Sequence, residues 1–166
     1  DMSVTDYLAL PKSYHGRAGP LLGYRVGVNF PEKAVEMEPY ALGYWLGDGS
    51  ECIITTEEQP VVDYFREYAD KLNCYITQGK DSITTRNSLH YRISGKLIKN
   101  KRQPNIFLKK LQKLNLICNK HIPQDYKCNS RRVRLELLAG IIDSDGSLSN
   151  NIYDIIQKRE RLLDDI

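Results

Sequence analysis

A nine-residue pattern occurs twice in this chain, about a hundred positions apart. The first copy is Ala41-Leu42-Gly43-Tyr44-Trp45-Leu46-Gly47-Asp48-Gly49, and the second is Leu138-Ala139-Gly140-Ile141-Ile142-Asp143-Ser144-Asp145-Gly146. Gly43 aligns with Gly140, Asp48 with Asp145 and Gly49 with Gly146, at a constant offset of 97 residues. Each copy is an apolar helical stretch with a small residue in its middle and a carboxylate at its end. Two helices bring their backbones close only where side chains are absent, so Gly43 and Gly140 are the candidate helix interface. Gly49 and Gly146 suit left-handed helix caps. The expected arrangement is a two-fold one, with Asp48 and Asp145 side by side.

That juxtaposition has a chemical consequence. Helix C-termini carry partial negative charge from unpaired carbonyls. Two carboxylates added there make a site for a cation, and oxygen-only ligands select Mg2+ (or Mn2+) over zinc. The candidate metal site is Asp48 and Asp145, with Gly47 and Ser144 beside them. Metal held there next to phosphodiesters could activate water and stabilise a leaving oxygen. Asp143 has no counterpart in the first copy, where Leu46 stands, and reads as a local hydrogen-bonding or structural residue.

Charge is distributed unevenly. Between Cys74 and Arg134 there are 15 Lys or Arg against two acids, Asp81 and Asp125, while the rest of the chain holds 9 basic and 19 acidic residues. Such a basic stretch fits a polyanion, and nucleic acid is the obvious one; the alternative is a merely solvated basic face. No apolar run approaches the ~20 residues of a membrane helix, and the N-terminus has no basic-then-apolar signal pattern. Cys52, Cys74, Cys118 and Cys128 form no C-x-x-C pair, which argues for reduced buried thiols rather than zinc and for an intracellular protein.

Residues 1–38 look like a lead-in broken by Gly and Pro, with strand-like alternation over 24–30. Pro39 fits the first turn of a helix through the first motif. Residues 51–56 read as one short strand. Pro60 opens a helix with Val61, Val62, Phe65, Tyr68, Ala69 and Leu72 on one face. Residues 74–78 and 89–94 are strand candidates. In the second, Leu89, Tyr91 and Ile93 face one way and His90, Arg92 and Ser94 the other. Residues 96–102 read as a lysine-rich, mobile loop without periodicity. Pro104 starts a helix with Ile106, Phe107, Leu111 and Leu114 inward and Lys109, Lys110 and Lys113 outward. Ser130 is a good N-cap for the second motif helix. Strand-rich sequence follows at 147–156, and a helix at 158–166. The order after the first motif thus begins again after the second, and a full second unit would need roughly 60 to 70 further residues.

Residues 138–146 resemble the LAGLIDADG signature of homing endonucleases, with Ile141 and Ser144 as departures. Residues 41–49 are similar to the divergent first copy of the two-motif, intein-encoded members. The resemblance runs from about Glu38 to the end. It includes Asn119-Lys120-His121-Ile122-Pro123, which resembles a lysine-bearing segment that precedes the second motif; Lys120 lies 25 residues before Asp145. The resemblance implies an α+β fold of αββαββα halves whose saddle-shaped antiparallel sheets lie in the major groove. It divides the chain into a splicing-domain junction (1–37), a first half (38–134) and the start of an incomplete second half (135–166).

The implied function is a site-specific DNA endonuclease, the homing part of an intein, making a metal-dependent double-strand break at a long target. The implied catalytic residues are Asp48, Asp145 and Lys120, the lysine beside the scissile phosphate; the lesser alternative for Lys120 is one more DNA-backbone contact. Thr77, Lys80, Thr84, Arg86, His90, Arg92 and Ser94 would face DNA, with Arg suited to guanine. Lys96, Lys99, Lys101 and Arg102 would position the backbone. The implied partners are double-stranded DNA and the remainder of the intein or endonuclease chain, in nucleus or cytoplasm depending on the host, with no membrane. Splicing is not expected, because position 1 is Asp rather than a Cys or Ser nucleophile. Two other readings stay open: a LAGLIDADG-type binder without cleavage, such as a maturase-like factor or transcription regulator, and an inactive fragment, whose exposed apolar surface would favour association.

Overall fold

The computed structural model describes residues 2–15, 27–79 and 89–166. A short helix α1 (Val4–Leu8) is capped by Ser3, whose hydroxyl accepts from the Asp6 amide. The first motif is α2 (Pro39–Asp48), with proline in its first turn as expected. It runs directly into β1 (Gly49–Ser50), which turns back as β2 (Ile53–Thr55). Then follow α3 (Gln59–Lys71), β3 (Cys74–Gly79), β4 (His90–Gly95), a small hairpin of β5 (Leu97–Ile98) and β6 (Lys101–Arg102), α4 (Ile106–Lys113) and α5 (Gln124–Lys127). The second motif is α6 (Arg131–Asp145), and after it come β7 (Gly146–Ser149), β8 (Ile152–Ile155) and α7 (Glu160–Asp165).

The protein is a mixed α+β structure with antiparallel sheets. The main sheet has the order β1-β2-β4-β3. Its inner face carries Ile54, Tyr91 and Ile93, which pack with Trp45, Phe65 and Phe107 into one core. α3 buries Val61, Val62, Phe65, Tyr68 and Ala69, the stripe its spacing dictates. β4 buries Tyr91 and Ile93 and exposes Arg92, the alternation read from the sequence. The helix after Pro104 is capped by Asn105, whose side chain accepts from the Leu108 amide. Ser130 caps α6 by accepting from Val133.

The internal repeat persists in three dimensions. Gly49 pairs with Ile54 in the hairpin after the first motif, and Gly146 pairs with Ile155 in the hairpin after the second. A helix follows each hairpin. The second hairpin keeps Leu148, Ile152 and Tyr153 exposed.

Three local expectations need correction. Gly49 and Gly146 are extended (φ −91° and −89°), not left-handed. Glycine is required there by crowding: a Cβ on Gly49 would lie 2.2 Å from Trp45 Cδ1, and one on Gly146 2.5 Å from the Ile142 carbonyl. The strand expected over 51–56 is shorter, β2 covering only Ile53–Thr55, because Glu51 adopts φ 50° and folds the chain back ahead of it. The Trp45 indole N–H donates to the Glu51 carbonyl (2.9 Å) and fixes that turn. Residues 96–102 are not structureless: Lys99 (φ 48°) and Asn100 (φ 59°) make the two positive-φ positions of a tight hairpin turn.

Residues 28–37 run as an extended strap across α4, α5 and α6. Asn129, fully buried, accepts from the Lys33 amide and donates to the Lys33 carbonyl, both at 3.0 Å. Tyr126 does the same for Met37 (2.8 and 2.9 Å). Glu36 pairs with Lys110 and Lys113, and Glu32 with Arg132. Of the four cysteines, Cys52 and Cys74 are buried, Cys128 is half-buried and Cys118 is exposed; all are free. Among the described residues no helix is long and apolar enough to cross a membrane.

Candidate metal centre and nucleic-acid face

α2 and α6 lie against each other in reciprocal contact. A Cβ on Gly43 would sit 2.0 Å from the Leu137 carbonyl oxygen, and a Cβ on Gly140 would sit 2.3 Å from that of Tyr40. Each glycine thus meets the carbonyl three residues before the other glycine. The relation holds at the next position: Gly43 faces the Ile141 amide and Gly140 the Tyr44 amide. Gly47 and Ser144, equivalent in the repeat, also face each other, and a Cβ on Gly47 would lie 2.1 Å from the Ser144 Oγ and 3.0 Å from the Asp145 Cγ. There is room for one side chain at that level, and Ser144 supplies it.

This approach brings the C-terminal ends of both helices, with Asp48 and Asp145, to one place. Both carboxyls are held above the usual carboxylate range. For Asp48 the main cause is loss of surrounding water, then the charge of Asp145, with Lys120 pulling the other way. For Asp145 the main cause is again desolvation, opposed by Lys120 and Arg159. Asp145 also accepts a hydrogen bond from Gln157 Nε2 (2.8 Å).

Lys120 reaches the same place, but from inside. It is only 7% exposed. Its ammonium donates to the carbonyls of Leu46 and Gly47, both at 2.9 Å, and lies 4.9 Å from the centre of the Trp45 ring. Lys120 therefore caps the C-terminus of α2, neutralising carbonyls the helix leaves unpaired. Burial lowers its pKa to about 8, with Arg159 acting in the same direction and the two aspartates opposing. Ser144 donates to the carbonyls of Gly140 and Ile141. Asp143 accepts from the Tyr40 hydroxyl (2.8 Å), the structural role expected of it.

The donor set of Asp48, Asp145 and neighbouring oxygens is hard and anionic. Two carboxylates raised by desolvation, Asp48 also by the charge of Asp145, are what a divalent cation relieves, so the residues fit such an ion. Among the described residues no group of three or more His, Cys, Asp or Glu side chains could hold a metal. A complete shell would draw on carbonyls, water or a ligand's own oxygens.

The outer face of the main sheet carries a shallow cleft of about 390 Å³ lined by Ser50, Ile53, Thr55, Thr77, His90 and Arg92. His90 is hydrogen-bonded to Thr55 (3.0 Å), and Arg92 donates to the Cys52 sulfur (3.4 Å). Ser94 lies further along β4, opposite Tyr75. Lys96 is turned to the helix side and paired with Asp70. Lys99, Lys101 and Arg102 stand exposed on the β5–β6 hairpin. Lys80, Thr84 and Arg86 lie outside the described residues.

Gln157, Arg159 and Trp45 belong to the centre and were not singled out from the sequence. The strand register reveals why Gln157 is there. It stands two positions after Ile155, as Thr56 stands after Ile54. Both side chains accept from the amide two residues on: Thr56 from Glu58 and Gln157 from Arg159, each at 3.1 Å. The motif alignment carries an offset of 97, but the hairpins differ in length, which hides this equivalence.

No protein-family model matches the chain. It is 26% identical over 124 residues to the replicative DNA helicase DnaB of Mycobacterium intracellulare. That match covers 74% of this chain but only 16% of the helicase, so the chain spans a small part of the relative's length. No G-x-x-x-x-G-K-[S/T] phosphate loop occurs in this sequence.

Proposed function

We propose that this chain is the DNA-cleaving module of a LAGLIDADG-type, intein-encoded homing endonuclease, acting on double-stranded DNA with Mg2+ or Mn2+. The single observation that carries the reading is the reciprocal glycine contact that sets Asp48 and Asp145 side by side at two adjoining helix ends. The basic stretch and the polar cleft beside that centre support a polyanionic partner. Similarity to a small part of a much longer DNA helicase is compatible with an element housed inside a host protein.

In this reading Asp48 and Asp145 hold the cation, with Ser144 beside them; the Gly47 carbonyl, the other oxygen expected there, is taken by the Lys120 ammonium. A divalent ion bound there would supply a water of lowered pKa and a counter-charge for the leaving oxygen. The chain's own residues do the rest. Gln157 orients one oxygen of Asp145. Lys120 holds the end of α2 and places a positive charge behind the carboxylates, where negative charge would grow. Arg92 and the neighbouring Thr55 and Thr77 would contact bases or phosphates across the cleft. α2 and α6 keep these groups in register because neither helix can slide without a backbone clash at the glycines.

The test is cleavage of a plasmid library with randomised target sites, in Mg2+, with the cut ends sequenced. Wild type should produce ends at one long sequence class. Asp48→Asn and Asp145→Asn should each retain DNA binding and lose double-strand cleavage by at least about a hundredfold. Cleavage at the wild-type rate by either variant would sink the assignment of the centre.

A further inference from the structure

The β5–β6 hairpin has no core of its own. Leu97 pairs with Arg102 and Ile98 with Lys101, so each side of this two-stranded ribbon presents one aliphatic and one cationic side chain. Leu97 is 61% and Ile98 46% exposed. Among the described residues, Lys99, Lys101 and Arg102 form no ion pair and their side chains no hydrogen bond. A free two-stranded ribbon is marginal in water, yet the base of this one is fixed. The Gln103 amide donates to the Lys96 carbonyl (2.9 Å), and Lys96 is tied to Asp70. Gly95 lies so close to Gln103 that a Cβ there would sit 2.1 Å from its carbonyl oxygen. Asn105 donates to the Ile93 carbonyl (2.7 Å) just below.

A base held by these contacts thus carries a tip whose charged side chains find no partner among the described residues. The occupant that fits must take aliphatic and cationic groups from the same ribbon at once. No Asp or Glu occurs in the sequence between Asp81 and Asp125, and the acid at the base of the hairpin, Asp70, is paired with Lys96, so the charge the tip offers is positive and suits a polyanion. We infer that the hairpin enters a groove of duplex DNA, with its aliphatic side chains, Leu97 on one face of the ribbon and Ile98 on the other, set against neighbouring bases and Lys99, Lys101 and Arg102 on the flanking phosphates. This rests on the DNA-directed reading above, and it adds a mode of contact: deformation of the duplex by apolar insertion, beyond charge alone. Apolar side chains that wedge between bases partly unstack them and bend the helix, most readily at pyrimidine–purine steps.

The experiment uses the full chain and a mixed-sequence duplex carrying 2-aminopurine at its TA and CA steps. Binding is followed by anisotropy over a salt series, and unstacking by 2-aminopurine fluorescence. Wild type should bind and raise the fluorescence. Leu97→Ser/Ile98→Ser should bind roughly tenfold more weakly, keep the same salt slope, and lose the fluorescence rise. Lys99→Ala/Lys101→Ala/Arg102→Ala should instead reduce the slope of log K against log salt by up to about 2.7, the value for three lost phosphate contacts. Circular dichroism of both variants should match wild type, since none of these side chains belongs to the hydrophobic core. If the serine variant binds and brightens the probe like wild type while the alanine variant changes the slope, insertion is refuted and the DNA reading stands. If wild type binds no duplex, both fail.

Discussion

The hydroxyl of Tyr40 donates to Asp143 across the seam between α2 and α6, at 2.8 Å. Burial, and then this carboxylate, push the Tyr40 hydroxyl well above the ordinary tyrosine range, so it stays a donor at all physiological pH. Tyr40→Phe and Asp143→Ala should each destabilise by about 1 kcal/mol, with a coupling energy of similar size in the double-mutant cycle. Urea denaturation of the four proteins measures it. Strictly additive effects would mean that the pair contributes nothing across the seam.

Replacing glycine by alanine inside a helix ordinarily adds stability. At Gly43 and Gly140 the opposite is expected. The new methyl would strike backbone carbonyls of the neighbouring helix, which cannot swing aside as a side chain can. Each substitution should cost about 3 kcal/mol. A Gly43→Ala or Gly140→Ala protein as stable as wild type in urea would show that the helices do not approach this closely in solution.

Lys120 should titrate near pH 8 in chelator-treated buffer, visible by NMR as one lysine Cε resonance that Lys120→Met removes. Asp145→Asn should move that midpoint down, because the aspartate favours the ammonium, and Arg159→Gln should move it up. The unfolded chain holds this proton to about pH 10.5, the folded one only to about 8. Over that window the unfolded state binds more protons, so this group makes stability rise with pH. Lys120→Met should flatten that rise. A Lys120 midpoint above 10 would refute its placement in a desolvated cap.

Asn129 is the buried clasp of the strap. Asn129→Ala would leave the Lys33 amide and carbonyl without partners and should cost about 2–4 kcal/mol. Amide exchange at Lys33 and Met37 should accelerate more than at the α3 core. Uniform acceleration across the protein would mean that the strap does not open as a separate unit.

Much of this architecture is legible in the sequence, and the remainder has identifiable reasons for being hidden. The motif helices, the apolar stripe of α3, the alternation of β4 and the Ser130 cap follow from local periodicity and hydrogen-bonding chemistry. The conformation of Gly49 and Gly146 does not, because the demand for glycine comes from the crowding of Trp45 and of Ile142, not from φ. Lys120 is placed beside the catalytic carboxylates only by the resemblance; nothing local in sequence says that it is buried under the end of α2. The turn at Lys99-Asn100 lacks the usual glycine, whereas Asn150-Asn151 makes a comparable turn with residues that tolerate positive φ. Gln157 is concealed by the different lengths of the two hairpins. For the site, sequence names Asp48 and Asp145 with Gly47 and Ser144 beside them, the resemblance adds Lys120, and only the assembled fold adds Gln157, which donates to Asp145.

The reciprocal seam also limits how this protein can be re-engineered. Each glycine is fitted to a carbonyl contributed by the opposite repeat, so a replacement half must bring a helix that both offers and accepts the same close approach. Gly47 and Ser144 add a rule of parity: one partner at that level must lack a side chain, and two donors that each supply serine would not dock. Chimeras built from unrelated repeats should therefore succeed or fail by the residues at positions 43 and 140 and by the pair at 47 and 144, well before any property of the sheets comes into play.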